Sequence, residues 1–360
     1  MQTMKHMFKN GPILLIRTGA LGDLVQFSAV VSALAAHHDQ PVDVLTSGGF
    51  ADSALTGMPE IGRLFAVRHR RRPAWLAPDL QLLARALVKR RYSEVYAFDR
   101  APVIERALVA AGAVVHTELG SEAEHALDHY AAVLTKLGVD VPQPFSPCIA
   151  VTHADRQAAA DLLDRHGAAG RPVIVIQPGN SRTLHPLHRI RPQRNLKSWP
   201  NESWMTTINA LAERHPDAVL ALVGAPSEWG IGEEIKAGLS AKVIARTVNL
   251  ANELPVRSLI GLLEGAVGCL SVDTGPAHLA AAVGCPLVVL FGPADPRAMA
   301  PRGPSKVCTV VSGVACSPCY GTARRSTCRS NICMSQLSVV AVMSAWSEVA
   351  PHDVRLRIGA

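Results

Sequence analysis

Aromatic side chains are scarce in this chain, at 4% of its 360 residues. With so few rings, and no basic stripe threaded between them, a stacking platform for single-stranded nucleic acid has little to be built from, and nucleic acid is not expected as a partner. Long hydrophobic runs are missing too. Stretches such as residues 286–291 end in Gly and Pro within a few positions, well short of the roughly 20 apolar residues that span a bilayer. The run 12–16 stops at Arg17, too early for a signal peptide, so a cytoplasmic chain is expected. Neither a GxGxxG after a strand nor a GxxxxGK[ST] occurs, which removes dinucleotide dehydrogenases and P-loop NTPases. Eight cysteines in a chain of this size argue against a disulfide scaffold in a cytosolic setting.

What is present is apolar residues at 48% and a net charge of +7. The first suffices for two packed cores, and the second favours acidic partners such as phosphates or anionic glycolipids. Short β-rich runs (13–16, 42–46, 95–98) alternate with Ala/Leu-rich helical stretches (23–36, 76–90, 103–111), the pattern of βαβ units on a parallel sheet. A Pro-rich stretch at 138–147 interrupts it. The alternation then resumes, with strands expected at 173–177, 219–223, 243–245, 269–272 and 287–291 and helices at 202–214, from 227, at 255–265 and at 276–283. The expectation is an α/β protein of two Rossmann-like, doubly wound domains, residues 1–160 and 161–360, facing a central cleft, with the boundary somewhere in 145–170. A Cys-rich segment, 316–333, and a C-terminal helix complete the second domain.

Four stretches carry candidate chemistry. In Arg17-Thr18-Gly19-Ala20-Leu21-Gly22-Asp23, two glycines allow a tight turn and Asp23 reaches the first turn of the next helix; it reads as a helix cap or as a reactive carboxylate. In Asp273-Thr274-Gly275-Pro276-Ala277-His278, a helix start with Pro near its first position presents free N–H groups suited to a diphosphate; His278 is structural or an added donor. Lys197, between Asn195 and Trp199, is a counter-ion for a leaving phosphate or a solvated cation beside core tryptophans. Glu228, shortly after the strand ending at Val223, is a ribose acceptor or a first-turn helix acid.

In order and spacing these stretches resemble the ADP-heptose:lipopolysaccharide heptosyltransferases, glycosyltransferase family 9, of the GT-B fold. The longest likeness is DTGPAHLAAAVGCPLVVLFGPADP, residues 273–296, joined by RTGALGD, QPG, LKSWP and VGAPSE. The resemblance implies an inverting transfer of heptose from ADP-heptose to a lipopolysaccharide or Kdo-lipid A acceptor. It makes Asp23 the base, with Thr18, Gly19 and Gly22 in the acceptor-side loop. Lys197, Glu228, Asp273, Thr274, Gly275 and His278 would line the donor site, and no cofactor would be required, in keeping with the absence of DxD. The competing expectations are a related transferase with a protein or small-molecule acceptor and, from another class, a non-catalytic nucleotide-binding module. The segment between Pro178 and Lys197 is longer and more basic than the family's; it reads as a flexible surface insertion, or His185, His188 and the neighbouring arginines touch a substrate. Cys316, Cys319, Cys328 and Cys333 have a spacing able to wrap zinc or iron, against reduced thiols or a stress-induced disulfide. Basic clusters at 68–72 and 89–91 are acceptor-attracting patches at the inner membrane or solvated faces.

Overall fold

The computed structural model describes residues 11–67, 78–117, 125–180 and 195–350. The chain divides into two compact units, Met1–Ala150 and Val151–Ala360.

In the first unit, β1 (Ile13–Ile16), β2 (Val42–Thr46), β3 (Ile61–Ala66), β4 (Glu94–Ala97) and β5 (Val114–His116) form one sheet in the order β3-β2-β1-β4-β5, and every pairing is parallel. The helices are α1 (Leu21–His37), α2 (Pro78–Lys89), α3 (Pro102–Ala110) and α4 (Ala126–Lys136). β1 and β2 are buried along their whole length, as strands covered on both faces are; β1 reads as an unbroken apolar run, whereas β2 carries Asp43, buried and paired with Arg90. Leu80, Ala84 and Leu87 turn one face of α2 inward at i, i+4 and i+7, where they pack with Leu14, Ile16, Leu45, Val95, Ile104 and Leu108. β3 and β5 were not expected. They are sheet edges with mostly half-exposed or exposed side chains, and edge strands lack the continuous apolar run that marks the interior ones.

The second unit contains α5 (His153–Arg165), β6 (Val173–Gln177), α6 (Asn201–Arg214), β7 (Val219–Leu222), α7 (Trp229–Ala237), α8 (Ala241–Ile244), β8 (Thr247–Asn249), α9 (Val256–Glu264), β9 (Gly268–Val272), α10 (Gly275–Ala282), β10 (Leu287–Phe291), α11 (Pro296–Met299), β11 (Val307–Val311), α12 (Ala323–Thr327), α13 (Ile332–Ser335) and α14 (Val339–Val349). Its sheet runs β11-β10-β9-β6-β7-β8, again parallel throughout. The strand expected at 243–245 is instead the short helix α8, and the ladder is carried by Thr247–Asn249. A short apolar run does not distinguish the two states; here Val243 is spent on the core while Leu220 N–H bonds the Arg246 carbonyl just before β8. Trp199 and Trp204, both 1% exposed, meet edge to face at 5.0 Å. Trp346 on α14 joins the same core, its indole N–H donating to His215 at 3.0 Å.

Strand order reverses between β1 and β4 in the first unit and between β6 and β9 in the second. Neighbouring loops diverge at such points, leaving a crevice at the strands' carboxyl ends. Ile16 sits opposite Ala97 in the first pair and Gln177 opposite Ser271 in the second, so the loops that follow these residues are the ones to inspect for chemistry. Among the described residues, no helix is long and apolar enough to cross a membrane.

Candidate active site

At the first reversal point, the loop after β1 and the residue after β4 meet. Asp99 Oδ2 accepts from Thr18 N–H at 2.6 Å, from Thr18 Oγ1 at 2.8 Å and from Arg17 Nη1 at 2.9 Å. The same guanidinium donates through Nε to Tyr130 Oη at 3.0 Å and reaches Asp23 Oδ1 through Nη2 at 3.3 Å. Asp23 Oδ2 accepts from Ala20 N–H at 2.9 Å. The carboxylate thus folds back over the loop, closing the first turn of α1. That arrangement needs Gly19, because a Cβ there would lie 2.7 Å from both Asp23 Cβ and Oδ2. Gly19 N–H is itself held by Ser47 Oγ at 2.8 Å. Gly22 lies within the first turn of α1. Asp23 therefore caps its helix and keeps a side chain 45% exposed, whereas Asp99 is 19% exposed. Burial alone would raise the Asp99 pKa, but the Arg17 cation and the two Thr18 donors outweigh it and hold the carboxyl below its usual range.

At the second reversal point, two acids occupy different positions. Glu228 is 6% exposed, with Oε2 accepting from Ala225 N–H at 2.7 Å and Gln177 Nε2 at 3.4 Å. Its Oε1 and the Gln177 Oε1 are buried without a hydrogen-bond partner. A Cβ at Gly179 would come within 2.5 Å of Oε1, and one at Gly224 within 2.7 Å of Oε2, so both glycines make room for this carboxyl. Burial pushes its pKa up, only partly offset by the Ala225 and Gln177 donors.

Asp273, 6% exposed, follows β9. Lys197 Nζ donates to its Oδ2 at 2.5 Å and to its backbone carbonyl at 3.0 Å. Thr274 takes the N-cap position of α10 in an extended conformation, with Pro276 in the helix's first turn. The N-terminal amides of α10 are thus adjacent to the Lys197 cation, the combination that holds a phosphate. His278 is buried in the same helix. Asn195 Oδ1 accepts from Asn180 Nδ2 at 3.0 Å and from Lys197 N–H at 3.4 Å, steadying the loop from which Lys197 extends. The histidines His185 and His188 lie outside the described residues.

The Cys-rich segment is fastened beside Lys197. Cys319 and Tyr320 N–H both bond the Pro293 carbonyl, Ser317 Oγ donates to Gly292 O, and Asn331 Nδ2 to Ser198 O. Tyr320 lies 5.8 Å from Lys197 Nζ and 4.3 Å from Arg325 Cζ, measured from its ring centre. All four cysteines are free thiols. Burial, followed by the three neighbouring thiols, raises Cys333 to about 11. The four are therefore neighbours, yet among the described residues no group of three or more His, Cys, Asp or Glu side chains is disposed to hold a metal ion. Cys319 and Cys333 are buried while Cys316 and Cys328 are half-exposed, and Cys333 Sγ lies against Asn331 Oδ1 at 3.7 Å. Of the two basic clusters, 68–72 lies outside the described residues. In the other, Lys89 and Arg91 are exposed, but Arg90 is withdrawn into an ion pair with buried Asp43 at 2.7 Å.

Arg17, Asp99 and Tyr130 are the functional-site residues that sequence reasoning did not single out. Asp99, two residues past the end of β4, carried the same signal as Glu228 after β7, an acid near a strand's carboxyl end.

The model of glycosyltransferase family 9 (heptosyltransferase) matches residues 109–329. Lipopolysaccharide heptosyltransferase 1 of Pseudomonas aeruginosa is 25% identical over 333 residues, 85% of either chain. Lipopolysaccharide heptosyltransferase 3 of Escherichia coli is 26% identical, over 76% of this chain and 81% of its own. Among solved structures, the Escherichia coli ADP-heptose lipopolysaccharide heptosyltransferase II superposes with a TM-score of 0.71 at 20% identity, covering 94% of this chain and 98% of its own. That likeness is one of fold, and the two parallel-sheet units are those of the GT-B glycosyltransferases. The family match takes in the Lys197, Glu228 and Asp273 loops and more than half of the sequence, and the chain belongs to glycosyltransferase family 9, the heptosyltransferases.

Proposed function

We propose that this glycosyltransferase moves heptose from ADP-heptose to a lipopolysaccharide inner-core acceptor, with inversion at the anomeric carbon and Asp23 as the base. The observation that carries the reading is the Lys197 cation set at the amino end of α10, at the strand reversal of the second unit. The relatives named for ADP-heptose and lipopolysaccharide support the choice of substrates.

The chemistry follows from the charges. Asp23 takes the proton of an acceptor hydroxyl as its oxygen attacks the anomeric carbon. The bond from that carbon to the β-phosphate oxygen breaks, and its electron pair departs with ADP. Lys197 exchanges Asp273 for the phosphates, and with the amides of Thr274 and Gly275 it meets the growing negative charge, so the departure needs no cofactor. The unpaired Glu228 Oε1 accepts from the adenosine ribose, while Asp273 and His278 line the donor site beside it. Exposed Lys89 and Arg91 on the first unit draw an anionic lipid acceptor to the cytoplasmic face of the inner membrane.

The test is transfer from ADP-heptose to purified heptose-deficient lipopolysaccharide, read by mass spectrometry. The intact chain is expected to add one heptose mass. Asp23→Ala should lower turnover by about 10²–10⁴, the usual contribution of a general base. ADP-heptose binding with no transfer to this acceptor would overturn the lipid reading in favour of a protein or small-molecule acceptor.

A further inference from the structure

We propose that Arg17 is a positioning residue for the transfer, holding the Asp23 carboxylate in its working orientation, and that Asp99 and Tyr130 exist to hold Arg17. This rests on the reading of Asp23 as the base.

One guanidinium is used on four acceptors in this loop. Nε goes to Tyr130 Oη, Nη1 to Asp99 Oδ2 and also to the Thr18 carbonyl at 3.1 Å, and Nη2 to Asp23 Oδ1. A planar fork can serve partners in these different directions, whereas a lysine ammonium is a single point. The two carboxylates it touches are unequal. Asp99 is the nearer, at 2.9 Å against 3.3 Å, and the more enclosed, at 19% against 45% exposure, and its Oδ2 also receives both Thr18 donors. Asp99 is therefore the fixed counter-ion, while Asp23 is steered by the outer Nη2 but leaves much of its carboxylate facing solvent. Tyr130 is locked in turn, 4% exposed and edge to face with Phe27 and Phe98 at 5.7 and 5.5 Å. The chain of contacts runs from the core of the first unit, through Tyr130 and Arg17, to the reactive carboxylate.

Without Arg17, Asp23 keeps, among the described residues, only the Ala20 N–H on Oδ2 and can swing about it. Loss of orientation of about 1 Å costs a reaction on the order of 10²-fold, and it does so in turnover rather than in donor binding, because Arg17 belongs to the first unit and the donor loops to the second.

The experiment measures kcat and the KM for ADP-heptose separately in Arg17→Lys, Arg17→Ala, Tyr130→Phe and Asp23→Asn, with heptose-deficient lipopolysaccharide as acceptor and a thermal melt for each variant. Expected are a kcat loss of roughly 10–100-fold in Arg17→Lys with KM within about threefold, a smaller loss in Tyr130→Phe, and partial recovery of Arg17→Ala by added guanidinium ion. No such recovery is expected in Asp23→Asn. Wild-type kcat in a folded Arg17→Lys, with Asp23→Asn inactive, would overturn the proposal and leave the base reading standing. Wild-type turnover in Asp23→Asn would remove both. Should the Arg17 variants fail to fold, Tyr130→Phe decides: a lowered kcat at unchanged KM and melting temperature supports the brace, and an unchanged kcat overturns it.

Discussion

Each unit carries an acid–cation pair at its strand reversal, and the two pairs are built in opposite senses. In the first, the cation is pinned: Arg17 is held from several sides and the acid, Asp23, stays half-exposed. In the second, the acid is pinned: Asp273 is buried and the cation, Lys197, reaches it on a flexible stem with 22% of its side chain exposed. Whichever partner is left unpinned is the one able to meet a substrate. A carboxylate presented by a fixed guanidinium suits proton abstraction, and an ammonium resting on a fixed carboxylate suits transfer to an incoming phosphate.

The largest effect that would break this comparison comes from Lys197→Ala. It removes the mobile cation and strands a buried carboxylate, so kcat/KM should fall by about 10²–10³. The apo protein should also lose about 3 kcal/mol of stability, as when one partner of a buried pair is deleted. Adding Asp273→Asn should restore the stability, seen in denaturant melts, but not the activity. If stability is unchanged in Lys197→Ala, Asp273 is not the pinned partner.

A smaller effect is expected from Gly179→Ala. The new Cβ would sit 2.5 Å from Glu228 Oε1, and the buried carboxyl must give way. ADP affinity by calorimetry should fall about tenfold, equivalent to ~1.4 kcal/mol, with little change in the pH dependence of turnover.

The smallest effect separates Glu228 from Asp99 by sign. Burial raises Glu228, so the folded chain binds that proton more tightly than the unfolded one. This contribution to stability is present at low pH and is lost as pH rises from the ordinary carboxylate value near ~4.3 through the raised one. Asp99 is lowered, so its contribution is present above about 3.9 and lost as pH falls through its folded value. Glu228→Gln should therefore flatten the melting profile on the weakly acidic side, and Asp99→Asn on the strongly acidic side. Identical profiles for both variants and the parent would contradict the assignment.

How much of this could be read from residues alone differs between interior and edge. β1, β7 and β10 announce themselves as continuous apolar runs because both faces are covered, whereas β3, β5 and β11 leave nearly all their side chains half-exposed or exposed. The displacement of the strand near 243 to Thr247–Asn249 has the same origin: Val243 and Ile244 are apolar enough for either state, and packing chose the helix. At the site, the loops of Asp23, Lys197, Glu228 and Asp273 were legible as strand-to-helix turns with glycine and acid. Arg17 belongs to the same legible loop as Asp23, but its importance rests on Asp99 and Tyr130, which are 82 and 113 positions away, and no local pattern brings such partners together. The cysteine spacing is limited in the converse way. It places four thiols in one segment but does not say which way the sulfurs turn.

The position of Trp346 bears on the order in which the chain acquires its activity. Its ring fills the space above Gly268, where a Cβ would lie 2.8 Å from it, and seals the core beneath β9 and β10. During synthesis from the amino end, the first unit is complete at Ala150, while the sheet that carries Asp273 lacks this plug until α14 has emerged. The nascent chain can thus settle its carboxylate loop early, but the second unit stays open until almost all of the described chain has been made.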